Sequence, residues 1–113
     1  MQHHTSLCAA RTGTAEGGVR IPPAGYLAGA RALCDEFDAL LIADEIHSGL
    51  GRLGSWWGCD EEGVRPDVLT AGKILSGGVV PVAATLATAE VFDVLSLTVT
   101  RCCIRRPTAA VAG

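Results

Sequence analysis

No stretch of this sequence is apolar for long enough to cross a bilayer, and the opening Met1-Gln2-His3-His4 has neither a basic segment nor a hydrophobic one behind it. Neither a membrane-spanning helix nor a secretory leader is expected, which leaves the cytoplasm as the default compartment. A basic excess is missing too: nine Lys and Arg stand against twelve Asp and Glu, for a formal charge of -3. That balance gives no electrostatic reason to expect nucleic acid or an anionic membrane as partner, and points to a small soluble one. The cysteines lack a pattern. Their number is odd and the spacing of Cys8, Cys34, Cys59, Cys102 and Cys103 is irregular, which argues against a disulfide framework. The only close pair is the adjacent Cys102-Cys103, poor geometry for a tetrahedral ion, so reduced thiols and no metal are expected. What is present is apolar material: 49% of the 113 residues are hydrophobic and 19% charged, enough for one core and unlike a disordered chain.

Residues 1–15 show neither helical nor strand period and read as a poorly specified arm. After Pro22-Pro23, apolar residues recur at Tyr26, Leu27, Ala30, Leu33, Cys34 and Phe37, the spacing of an amphipathic helix with proline near its first turn. Ala39 to Ala43 is a short, continuously apolar run that Asp44-Glu45 ends abruptly, as expected of a strand buried on both faces of a parallel sheet. Five glycines between 49 and 63 break every period, and Trp56-Trp57 offer that segment an anchor, so an ordered loop is expected. Residues 68–71 and 82–86 read as further short strands, and Thr88 as the cap of a helix through Leu95 with Glu90 near its positive end. Helices alternating with short buried strands indicate an α/β fold with a mainly parallel sheet. Residues 96–113 change character, joining thiols to clustered arginines before an Ala-rich end.

In open α/β sheets, ligands bind at the carboxyl ends of the strands. Asp44 closes one strand and Lys73 follows the next, so both are expected to face one crevice. A lysine amine and a carboxylate are the two residue types pyridoxal phosphate needs, one for covalent attachment and one to keep the ring nitrogen protonated. Each alone is ordinary, an aspartate after a strand being more often a cap and a lysine after glycine more often solvated. Ser76-Gly77-Gly78 reads as a turn rather than a phosphate cradle, because a proline-containing strand follows it and not a helix.

The surrounding words decide between these readings. Ile42-Ala43-Asp44-Glu45-Ile46, the loop Ser48-Gly49-Leu50-Gly51-Arg52, then Arg65-Pro66-Asp67-Val68, Gly72-Lys73-Ile74-Leu75-Ser76-Gly77-Gly78 and Pro81-Val82 stand in the order of the class III pyridoxal-phosphate aminotransferases. The 29 residues separating Asp44 from Lys73 are that family's usual interval. The chain resembles this fold-type-I family over residues 16–95, a partial cofactor-binding domain, and within it is most similar to the ornithine aminotransferases. The arm before residue 16 and the tail after 95 fall outside the resemblance. Read one base later, codons for residues 101–106 can spell Gly-Ala-Ala-Phe-Gly-Gly, so a frameshifted tail on a truncated frame is one expectation.

The resemblance implies that Lys73 holds the cofactor and shuttles a proton, Asp44 pairs with the pyridinium, and Ile46 packs on the ring face, though Ile46 as plain core fits equally. His47 stands where the family usually has a glutamine that hydrogen-bonds the cofactor's phenolic oxygen, and imidazole offers one donor when neutral. Glu16 occupies the place of a glutamate that, in ornithine aminotransferases, pairs with a substrate-gating arginine. An exposed turn acid is its plainer reading. The implied activity is transfer of an amino group from ornithine or a related ω-amino donor to a 2-oxo acid such as 2-oxoglutarate, in a homodimer. Three alternatives stay open: another class III enzyme such as an acetylornithine aminotransferase, an inactive fragment or interaction piece, and an unrelated small α/β binding module.

Overall fold

The computed structural model of the protein describes residues 6–11, 13 and 18–98. Four strands form one sheet in the order β1 (Ser6–Arg11), β2 (Ala39–Asp44), β3 (Val68–Ala71), β4 (Ala84–Ala87), with helices α1 (Tyr26–Glu36) and α2 (Ala89–Thr98). β1 pairs with β2 and β2 with β3 in parallel, while β4 runs antiparallel to β3. This is the α/β fold with a mainly parallel sheet that the short buried strands lead one to expect.

Topology follows from the connections. α1 carries the chain from β1 back to the start of β2, as a parallel pair requires. No helix of comparable length joins β3 to β4: a 3₁₀ turn at Lys73–Ser76 ends on Gly77 and Gly78, both at positive φ, and the chain doubles back. The strand expected at 82–86 therefore begins two residues later and is the antiparallel member. β1 was not expected, since residues 1–15 read as an unpatterned arm. Its strand character comes from pairing all six residues with Ala39–Asp44 rather than from its own Ala and Cys content.

α1 starts without a side-chain cap of its own, on Gly25 at φ 83°, a left-handed position glycine tolerates without strain. Its orphan amides are met from a distance: Glu62 accepts from Gly25 N at 3.1 Å and from Ala28 N at 2.9 Å, placing a carboxylate at the positive helix end. Leu27 and Cys34 are buried against the sheet, and Ala30 is partly so. Leu33 and Phe37 lie outside the buried face, 56% and 69% exposed, so the stripe is narrower than the spacing suggests. α1 covers the sheet face of Ala10, Leu41, Leu69 and Ala71, all buried. On β2, burial alternates, with Leu41 and Ala43 buried and Leu40, Ile42 and Asp44 only partly so. The strand is thus covered fully on one face and in part on the other.

Asp67 joins these layers. Its Oδ2 accepts from Leu41 N and from Arg31 Nη1, both at 2.7 Å, its own N–H donates to Leu41 O, and its carbonyl accepts from Thr88 N just before α2. Burial alone would raise this carboxyl, but the Arg31 hydrogen bond, the Leu41 amide and the Arg31 charge outweigh it and hold it below its ordinary value of 3.8. Cys8, Cys34 and Cys59 are free thiols; Cys102 and Cys103 lie outside the described residues.

Candidate functional site

The parallel strands β2 and β3 end side by side, with Asp44 in register with Thr70. Asp44 Oδ1 accepts from Thr70 Oγ1 and from Ile46 N, each at 3.3 Å, so the neighbouring strand and the turn after β2 both orient the carboxylate. Asp44 is partly buried.

Glu45 points the other way, as alternation along a strand demands. It is 1% exposed, and its carboxylate accepts from Ser48 Oγ at 2.5 Å, Gly58 N at 3.0 Å and Cys59 N at 2.9 Å. Its backbone N–H donates to Thr70 O, and its carbonyl accepts from Gly49 N. A buried carboxylate is tolerable only with this degree of hydrogen bonding, and the result fuses the end of β2 to residues 58–59. Burial, followed by the Glu45 charge and hydrogen bond, pushes the Cys59 thiol up to about 12, so it is unreactive at neutral pH. Gly49 completes the knot: a Cβ there would come within 2.9 Å of Glu45 O and of the Trp57 ring. Trp57 is therefore the loop's anchor, whereas its neighbour Trp56 is 73% exposed.

Ile46 leans over the residue that precedes the lysine: a Cβ on Gly72 would lie 3.4 Å from Ile46 Cγ2. His47 follows, partly buried. Lys73 is exposed and opens the 3₁₀ turn with φ 44°, a left-handed backbone uncommon outside glycine and typical of functional positions. It is also the one lysine of the 113-residue sequence. Ser76 Oγ donates to Lys73 O at 3.3 Å, and Gly78 N to Ser76 Oγ at 3.2 Å, so Ser76-Gly77-Gly78 forms a turn.

Asp44 and Lys73 lie at the same end of adjacent strands but line separate open hollows. Asp44 lines one of about 460 Å³ with Arg20, Ile21, Pro22 and Tyr26; Lys73 lines another of about 340 Å³ with Ser76, Pro81, Val82 and Ala83. The 3₁₀ turn carries Lys73 from the end of β3 toward the chain entering β4. Glu16 lies outside the described residues. Three residues that matter to this geometry, Glu45, Thr70 and Glu62, were not legible as such. Only Glu45 carried a signal, since two consecutive acids at a strand end must face opposite ways.

Among the described residues no cluster of three His, Cys, Asp or Glu is placed to hold a metal, and no helix is long and apolar enough to cross a membrane. A family model described as aminotransferase class-III matches residues 12–100. Among solved structures, the ornithine aminotransferase of Toxoplasma gondii is 46% identical with a TM-score of 0.74, over 77% of this chain and 20% of that one. That structure is described as having pyridoxal phosphate at partial occupancy in its active site. The ornithine δ-aminotransferase of Plasmodium falciparum is 38% identical, TM-score 0.76, over 79% and 23%. The acetylornithine aminotransferase of Elizabethkingia anophelis is 41% identical, TM-score 0.73, over 76% and 22%. The chain thus spans a fifth to a quarter of the length of these relatives, and the match takes in the strand ends that carry Asp44 and Lys73. On the evidence of that match and of the shared fold, the chain belongs to the class III aminotransferases.

Proposed function

We propose that this chain is the cofactor-binding part, residues 16–95, of an aminotransferase that uses pyridoxal phosphate to move an amino group from ornithine or a related ω-amino donor to a 2-oxo acid such as 2-oxoglutarate. The observation that carries the reading is the pairing of a carboxylate, Asp44, with the sole lysine, Lys73, at the carboxyl ends of adjacent parallel strands. The residues fit the group: a partly buried carboxylate oriented through Oδ1, an aliphatic side chain between the two strand ends, and an amine on a strained, exposed turn.

When bound, pyridoxal phosphate supplies an electron sink for the carbon that gains or loses its proton. Lys73 Nζ would hold the cofactor and would take and return that proton. The Asp44 carboxylate would keep the cofactor's ring nitrogen protonated, and Thr70 and the Ile46 amide hold that carboxylate in one orientation. Ile46 offers a flat aliphatic surface for the ring face. His47 presents an imidazole N–H where the family has an amide, one donor in place of two. Glu16 is assigned to substrate gating, and a second copy of the full-length chain to completing the site. Acetylornithine is the second substrate reading, favoured by the 41% identity to an enzyme of that name. A non-catalytic piece is the third, favoured by the fifth to a quarter of its relatives' length that this chain spans.

Titrating the purified chain with pyridoxal phosphate while recording visible absorbance tests the cofactor reading. A saturable band stronger in the wild type than in Lys73→Ala, which keeps only the α-amine, is expected; identical spectra for both would end it. Adding ornithine and 2-oxoglutarate then separates enzyme from piece. Little turnover is expected from this chain alone, because misplacement of about 1 Å can cost about a hundredfold in rate.

A further inference from the structure

Cys8 and Cys34 meet across the layer between β1 and α1. Cys8 stands two residues before the buried Ala10 on β1, so both side chains face α1, and Cys8 is partly buried against the core cluster that contains Cys34. On α1, Cys34 shares the buried face with Leu27. The two thiols interact: burial, then a hydrogen bond with Cys8 and its charge, push the Cys34 thiol above its ordinary value of 9.0. Both are free thiols. We propose that Cys8 and Cys34 are a thiol–disulfide pair which a low-molecular-weight disulfide oxidises, stapling β1 to α1. Neither thiol is among the residues lining the hollows of Asp44 and Lys73, so the pair stands apart from the cofactor reading.

Access sets the order of events. Cys8 is the thiol a small oxidant reaches, whereas Cys34 is 2% exposed and is reached through Cys8. The Cys8 thiolate attacks one sulfur of the small disulfide, whose S–S bond breaks and releases a thiolate that takes up a proton. Cys34 then gives up its proton and attacks the Cys8 sulfur, forming the Cys8–Cys34 bond and expelling the second small thiol. Two protein thiols are oxidised, and one small disulfide is reduced to two thiols. Cys59, equally buried and pushed up to about 12 by burial and by Glu45, does not compete. β1 is an edge strand, paired among the described strands with β2 alone, so a bond to α1 gives it a second hold and restricts the unfolded chain between residues 8 and 34.

The test uses the 113-residue chain carrying Cys102→Ser and Cys103→Ser, so that Cys8, Cys34 and Cys59 are its only thiols, with hydroxyethyl disulfide as oxidant. Acid quenching, digestion without reduction and mass spectrometry report which cysteines are joined. In the folded chain the Cys8–Cys34 pair is expected to dominate, and in concentrated urea that preference should vanish, because only the fold brings these two thiols together. Cys34→Ala is expected to leave Cys8 as a mixed disulfide with the small thiol, and Cys8→Ser to leave Cys34 unmodified while the chain is folded. Oxidation should raise the urea midpoint by about 1 M, and reduction should restore it. The comparison of folded and urea-treated chains needs neither of these variants to fold. A Cys8–Cys34 share that is the same folded and in urea, a Cys34 modified as fast without Cys8 as with it, or a midpoint that oxidation does not raise would overturn the proposal.

Discussion

The two halves of the candidate site are built differently. On the carboxylate side, Glu45 is almost wholly buried and gathers Ser48, Gly58 and Cys59 around it, Gly49 lies against Trp57, and Asp44 is oriented by two donors. On the lysine side, Lys73 sits on an exposed turn, Val79 is 86% exposed and Val80 56%, and Gly77 and Gly78 take positive φ. The chain itself therefore orients the Asp44 carboxylate, while the segment bearing the amine is a turn held by local hydrogen bonds, with Val79 and Val80 in water.

Breaking the carboxylate half should have the largest effect. Glu45→Ala strands a buried hydroxyl and two buried amides without that acceptor, which at about 1–3 kcal/mol each is comparable with the whole stability of a small domain. The variant is expected to be unfolded by circular dichroism, with Glu45→Gln intermediate in urea midpoint. Gly49→Ala is next: its methyl would sit on the Glu45 carbonyl and the Trp57 ring, and a loss of about 1–3 kcal/mol in urea unfolding is expected.

Smaller is the pH effect of Asp67. Its folded-state carboxyl lies below the ordinary 3.8, so the stability it confers is fully present above that value and disappears as pH falls through the depressed one. Melting temperature should therefore decline on acidification below 3.8, and Asp67→Asn should be less stable at neutral pH and show a shallower decline. Smallest of all, Val79→Ser on the lysine side should change the urea midpoint by no more than about 0.5 kcal/mol, since the side chain is already in water. A large loss there would mean that the lysine segment is as tightly held as the carboxylate loop, and the contrast would fail.

The same contrast governs what the sequence could say. α1, β2 and β3 were legible because their apolar spacing is local and their ends are marked by Pro22-Pro23, Asp44-Glu45 and Pro66-Asp67. The family words placed Asp44, Ile46, His47 and Lys73 at the strand ends where the structure has them. β1 escaped notice because Ser6-Leu7-Cys8-Ala9-Ala10-Arg11 has weak strand preference and becomes a strand only through pairing with β2. Glu45 and Glu62 escaped it because their partners lie 13 to 37 residues away, and distant hydrogen bonds leave no periodicity. The antiparallel turn into β4 hinges on Gly77 and Gly78, which signal a bend but not its direction.

One measurement goes to the centre of the account. Lys73 is the only lysine, so its Nζ and the α-amine are the two primary amines of this polypeptide that can compete for pyridoxal phosphate. Incubation with the cofactor, reduction with borohydride, and peptide mapping by mass spectrometry reports how the label divides between them. In the folded chain the account predicts label concentrated on Lys73, a smaller Lys73 share in Asp44→Asn, and no preference in concentrated urea. Label on the α-amine alone, or a Lys73 share that is the same folded and unfolded, would contradict it.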